Sequence, residues 1–82
     1  MSHGKNSQIP EALTYRTFFA ARWGEFIRAN FDSHEHVAAV FHVEISTARK
    51  WWEGQHAPSG FAVGYAYRHF PEQAAAALRG AA

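Results

Sequence analysis

SHEHVAAVFHVEISTARKWWEGQHAP, residues 33–58, is the stretch whose spacing decides how the rest of the chain reads. In its first half Val37, Val40 and Phe41 recur at i, i+3 and i+4, the interval that lines apolar side chains along one face of a helix, with the small residues Ala38 and Ala39 between them. In its second half Val43, Thr47, Ala48, Trp51 and Trp52 follow helical spacing, while Ser46, Arg49, Lys50 and Glu53 fall on another side. The stretch therefore predicts two short helices joined by a tight corner at His42. Asp32 or Ser33 is placed to cap the first of them. Glu44 or Ser46 stands near the start of the second, Gly54 closes it, and Pro58 forbids its resumption. One face of the pair can pack while the other touches a partner.

Upstream, the apolar positions Tyr15, Phe18, Phe19, Trp23, Phe26 and Ile27 keep helical spacing to about Asn30, with Arg16, Arg22, Glu25 and Arg28 elsewhere on the wheel. Pro10 suits the first turn of this helix, Glu11 complements its positive end, and Asn30 is expected to close it in a left-handed conformation. Residues 1–9 are polar and aperiodic and read as an N-terminal arm carrying His3 and Lys5, ahead of a single domain spanning 10–80. Downstream, FAVGYAYR alternates large and small residues, a strand pattern by period. A lone strand would leave its backbone ladder unpaired, and Ser59 is a good cap, so a helix is expected there. Pro71 then restarts a helix, EQAAAALR, whose alanines favour the conformation and are expected to add little packing. That tail reads as a surface helix or a seam for a partner. The fold class is all-α, a small domain of four to five helices.

At 82 residues the chain buries about 60% of its unfolded surface, enough for one core. Seven Phe, three Trp and three Tyr make that core aromatic, each ring removing a large apolar area from water. There is no cysteine, hence no disulfide framework and no thiolate metal site. No apolar run approaches a membrane span, and the polar start lacks the apolar centre of a secretion signal, so a cytoplasmic setting is expected. Net charge is only +1, and residues 32–56 carry Arg49 and Lys50 against Asp32, Glu35, Glu44 and Glu53, a net −2. Four of the six histidines, His34, His36, His42 and His56, fall in the same segment, where imidazoles titrating near neutrality can add positive charge.

The succession Val37-Ala38, Phe41, Val43, Ala48 and Trp51, then Gly54 and Pro58, resembles the repressor/Cro-type (XRE-like) helix-turn-helix family. The match covers about 26 residues directly, and helix order extends it to residues 11–70. His42 departs from the family's turn glycine, although histidine tolerates a positive φ better than most residues. The resemblance implies sequence-specific binding of double-stranded DNA by a small homodimeric transcriptional regulator, with the helix at about 44–53 in the major groove. Carried over by position, Ile45, Ser46 and Lys50 are the base readers, with Arg49 a further candidate on the same side. Arg49 or Lys50 suits guanine O6 and N7, Ser46 several bases, and Ile45 a thymine methyl. His34, Gln55 and His56 match phosphate-contacting places, and Lys5 on the arm adds a fixed charge.

Other classes follow from other features. Histidines at 34 and 36 point to different sides of a helix, which argues against a metal site; no cofactor is expected. Without a glycine-rich phosphate loop, paired acid spacing or nucleophile motif, the chain is not expected to be an enzyme. The net −2 motif and the aromatic candidates Trp52, Tyr65 and Tyr67 support an alternative, a protein-interaction module on the same fold, with Trp52 or the helix after Pro71 meeting the partner. A third variant is the DNA-recognition subunit of a larger phage packaging or replication complex.

Overall fold

The run ALTYRTFFAARWGEFIRAN forms helix α1, Ala12–Asn30, because its large apolar residues return every three or four positions. A computed structural model describes residues 12–79 of the chain; Pro10, Glu11 and the arm with Lys5 lie outside the described residues. The stripe that enters the core is Ala20, Trp23, Phe26 and Ile27, with Phe19 at its edge. Tyr15 and Phe18, expected on that stripe, are 51% and 45% exposed. The reason is reach, since residues 14–18 are all exposed and no other element among the described residues covers these turns. Asn30 ends α1, but not by turning left-handed: its side-chain amide donates back to the Phe26 carbonyl at 2.8 Å. Among the described residues the non-glycine position with positive φ is His42.

Helix α2, His34–Phe41, is capped by Ser33, whose hydroxyl accepts from the His36 N–H at 3.2 Å. His36 answers with Nδ1, which accepts from the Asp32 N–H at 3.3 Å. His36 stands where a capping box has Glu or Gln, but the N–H it accepts from is that of Asp32, one residue before the N-cap Ser33. Val37, Ala38 and Phe41 are buried. His42 then adopts φ 57° and ψ 50°, and both it and Val43 donate to the Ala38 carbonyl, Val43 at 3.2 Å. This left-handed residue closes α2 and throws the chain into α3, Ile45–Trp52, with Ala48 and Trp51 inward. Glu44 is the N-cap of α3, with extended backbone and no side-chain bond to the helix. Gly54, at φ 75°, closes α3: its N–H reaches the Trp51 carbonyl at 3.0 Å and the Gln55 N–H reaches Lys50 at 2.9 Å, a Schellman turn.

The segment after Pro58 is α4, Gly60–His69, a helix as expected despite its alternating pattern. Ser59 stands at its N-cap with extended backbone, yet its side chain makes no capping bond. Ala62 and Ala66, four apart, are fully buried. Helix α5, Pro71–Ala74, widens into a π-helical turn, Ala75–Arg79. Here the expectation of a tail with little packing is corrected. Ala74 and Leu78 are buried in the main core, and Arg22 of α1 donates from Nε to the Ala77 carbonyl at 2.8 Å. Half-buried Phe70 anchors the start of α5, edge-on to Phe26 and Phe31.

The described residues thus form an all-α domain of five α-helices without a strand. Its centre is Trp23, perpendicular to Trp51 at 5.5 Å between ring centres, steeply inclined to Phe41 at 5.9 Å and tilted on Phe26 at 5.3 Å. Offset and edge-on rings at these separations add about 0.5–1.5 kcal/mol per pair beyond the area they bury. Phe31, between α1 and α2, is a core residue that helical spacing does not single out, because it lies in the link rather than on a helix; it contacts the rings of Phe26, Phe41 and Phe70. Among the described residues no helix is long and apolar enough to cross a membrane.

Candidate nucleic-acid interface

Helix α3 is held from behind. Gly24, in the middle of α1, lets the two backbones meet: a Cβ there would lie 3.0 Å from the Gly54 Cα and 3.0 Å from the Trp51 carbonyl oxygen. Glycine inside a helix costs roughly 0.5–1 kcal/mol against alanine, so its presence at this crossing has a packing cause. Arg28, one turn further along α1, donates from Nη1 to the Trp52 carbonyl at the C-terminal end of α3. Ala48 and Trp51 complete the inward side.

At 100° per residue, positions 45, 46, 49 and 50 occupy an arc of about 140°, centred nearly opposite Ala48 and Trp51. Ile45, Ser46, Arg49 and Lys50 are all exposed there, Ile45 at 48%. Ile45 is thus an exposed apolar residue on an otherwise polar face and not part of the core. Among the described residues no carboxylate pairs with Arg49 or Lys50; the ion pairs are Arg22 with Glu25 and His34 with Glu35. Glu44 and Glu53, also exposed, bracket the face with negative charge.

The remaining predicted contacts divide. His34, the first residue of α2, is half-buried, and its Nε2 lies 3.4 Å from a Glu35 carboxylate oxygen. Gln55 and His56 are exposed in the loop after α3. They share an open groove of about 390 Å³ with Arg16, Thr17 and Ala20 of α1 and with Gly54 and Ala57. Lys5 lies outside the described residues. Of the aromatic candidates for a protein partner, Trp52 and Tyr65 are half-buried against the core, Tyr65 edge-on to Phe41 at 5.1 Å, whereas Tyr67 is 41% exposed. Among the described residues no group of three or more His, Asp or Glu side chains could hold a metal ion.

No family model, curated protein or solved structure matches the chain. Two residues at this surface are not singled out by their sequence spacing. Arg28 lies on the polar side of α1 by its spacing, and only the fold reveals that it caps α3. Arg16 is brought beside Gln55 and His56 by the α1–α3 crossing, which nothing local announces.

Proposed function

We propose that this chain is a sequence-specific DNA-binding protein of the repressor/Cro-like helix-turn-helix type, a small cytoplasmic transcriptional regulator that inserts α3 into the major groove. The observation that carries the reading is the arrangement of α2, the left-handed His42 and α3: Ala38, Ala48 and Trp51 are packed inward, and Ile45, Ser46, Arg49 and Lys50 are presented together on the outer face. A helix supported from behind along its length, with its N-terminal residues open, suits the width of the major groove. Arg49 and Lys50 would take guanine edges, Ser46 and Ile45 their neighbours, with Gln55, His56 and Lys5 on phosphates and His34 in competition with Glu35. No residue is assigned a catalytic role and no cofactor is called for. One short helix reads few bases, so a homodimer on paired half-sites is part of the proposal.

Selection from random-sequence duplexes at low salt, followed by Arg49→Ala plus Lys50→Ala, tests it. The expected result is an enriched motif whose preference collapses in the double variant. Wild-type protein that enriches nothing would sink the reading. The interaction-module alternative draws support from Phe61 at 59% exposure and Tyr67 at 41%, both on α4 and away from the motif. A partner bound through these rings would be nearly indifferent to salt, whereas DNA affinity falls steeply with it.

A further inference from the structure

We infer that the groove between the N-terminal half of α1 and the loop after α3 is a seat for a DNA backbone phosphate, centred on Arg16. Among the described residues its polar lining consists of Arg16, Thr17, Gln55 and His56, with no carboxylate among them. A guanidinium offers five N–H donors and no acceptor, and the Gln55 amide and the His56 ring can each donate as well. The wall is therefore built for an acceptor-rich, negatively charged group.

Arg16 is available for that role in a way that Arg22 and Arg28 are not. Arg22 is engaged by the Ala77 carbonyl and Glu25, and Arg28 by the Trp52 carbonyl. Arg16 is exposed and makes no hydrogen bond or ion pair among the described residues. The adverse term is the C-terminal end of α3, whose carbonyls would repel an anion. Those carbonyls are occupied: Arg49, Lys50 and Trp51 accept from Glu53, Gln55 and Gly54, and Trp52 accepts from the Arg28 guanidinium. The negative end of α3 is thereby covered where the groove begins.

The choice of a duplex phosphate over a free one rests on the DNA-binding reading. If the outer face of α3 lies in the major groove, the loop that continues from α3 approaches a flanking strand, where phosphate contacts set register. Because Arg16 sits outside the base-reading face, its contribution is independent of sequence.

The test measures wild type, Arg16→Ala and Arg16→Lys on a random-sequence duplex across a salt series, with thermal melting to confirm that all three fold. Removing one phosphate contact should reduce the slope of log K against log salt by about 0.9 and weaken binding about 5–10-fold near 0.1 M salt, with no change in the selected motif. Arg16→Lys should keep the slope. A second arm titrates inorganic phosphate at constant ionic strength and follows backbone amide resonances: shifts at Gly54–Ala57 that vanish in Arg16→Ala support the seat. DNA binding that depends on Arg49 and Lys50 while Arg16→Ala leaves the slope unchanged overturns the seat and leaves the functional reading standing. Wild type that binds no duplex yet shows the phosphate shifts overturns both the functional reading and the DNA assignment, and identifies free phosphate as the ligand source.

Discussion

Replacing His42 by glycine probes the corner on which the α2–α3 arrangement depends. His42 holds φ 57° and ψ 50°, a region that costs an L-residue with a Cβ about 1–2 kcal/mol and costs glycine nothing. Against this, glycine loses more backbone freedom on folding, about 0.5–1 kcal/mol. The imidazole adds little to the balance, because His42 is exposed and no hydrogen bond from its ring is present among the described residues. The difference is a net stabilisation of about 0.5–1 kcal/mol, which for a domain of this size raises Tm by roughly 2–8 °C. His42→Val should move the other way, since a β-branched residue in the left-handed region is a steric outlier. Calorimetry or a circular-dichroism melt of the three proteins at one pH is sufficient. A His42→Gly chain that melts at or below the wild-type temperature would refute the reasoning, because it would mean that the ring contributes contacts outweighing the backbone term.

Two further substitutions test how α3 is held. Gly24→Ala should gain up to about 1 kcal/mol of helix propensity, yet the new Cβ meets two backbone groups of the α3 terminus at 3.0 Å; overpacking of this kind costs about 1–3 kcal/mol. A lower urea midpoint with unchanged m is the expected outcome, and a higher midpoint would show that the crossing is not close. Ser33→Ala removes the hydroxyl that caps α2 and should cost about 1 kcal/mol by urea unfolding. Arg28→Gln should weaken DNA binding modestly without altering the selected motif, because it loosens the end of α3 rather than its reading face; a changed motif in the selection assay would place Arg28 among the base readers instead.

Much of the α2–α3 frame was legible because local and tertiary demands coincide there. Val37, Phe41, Ala48 and Trp51 follow helical spacing and also face the core, while Ser33 and Gly54 stand at helix ends for local backbone reasons. In α4 the size pattern pointed to a strand because the usual association of large residues with burial is reversed. Ala62 and Ala66 enter the core where the helix approaches closely, leaving Phe61 and Tyr67 outside. Phe31, Leu78 and Gly24 were illegible for a third reason. Each owes its role to a meeting of distant segments: the α1–α2 link on α4 and α5, the tail on the core, and α1 on the end of α3. The candidate base-reading face needed only the spacing within α3, whereas the groove around Arg16 required the fold.

That division bears on how a motif with a net charge of −2 could hold a polyanion. Within residues 32–56 the fixed cations are Arg49 and Lys50, and on the proposed reading both are committed to base edges, so the motif itself neutralises little backbone charge. Of the cations on α1, Arg22 and Arg28 are bound to carbonyls, which leaves Arg16 as the helix's free guanidinium among the described residues. With one or two phosphates neutralised per protomer, the salt slope per protomer is only about −1 to −2, and counterion release contributes correspondingly little non-specific affinity. A single copy would then discriminate among sequences better than it holds any of them. Pairing two copies on one duplex doubles both the slope and the number of bases read, so on this charge balance dimerisation is the step that would convert a selective contact into an occupied site.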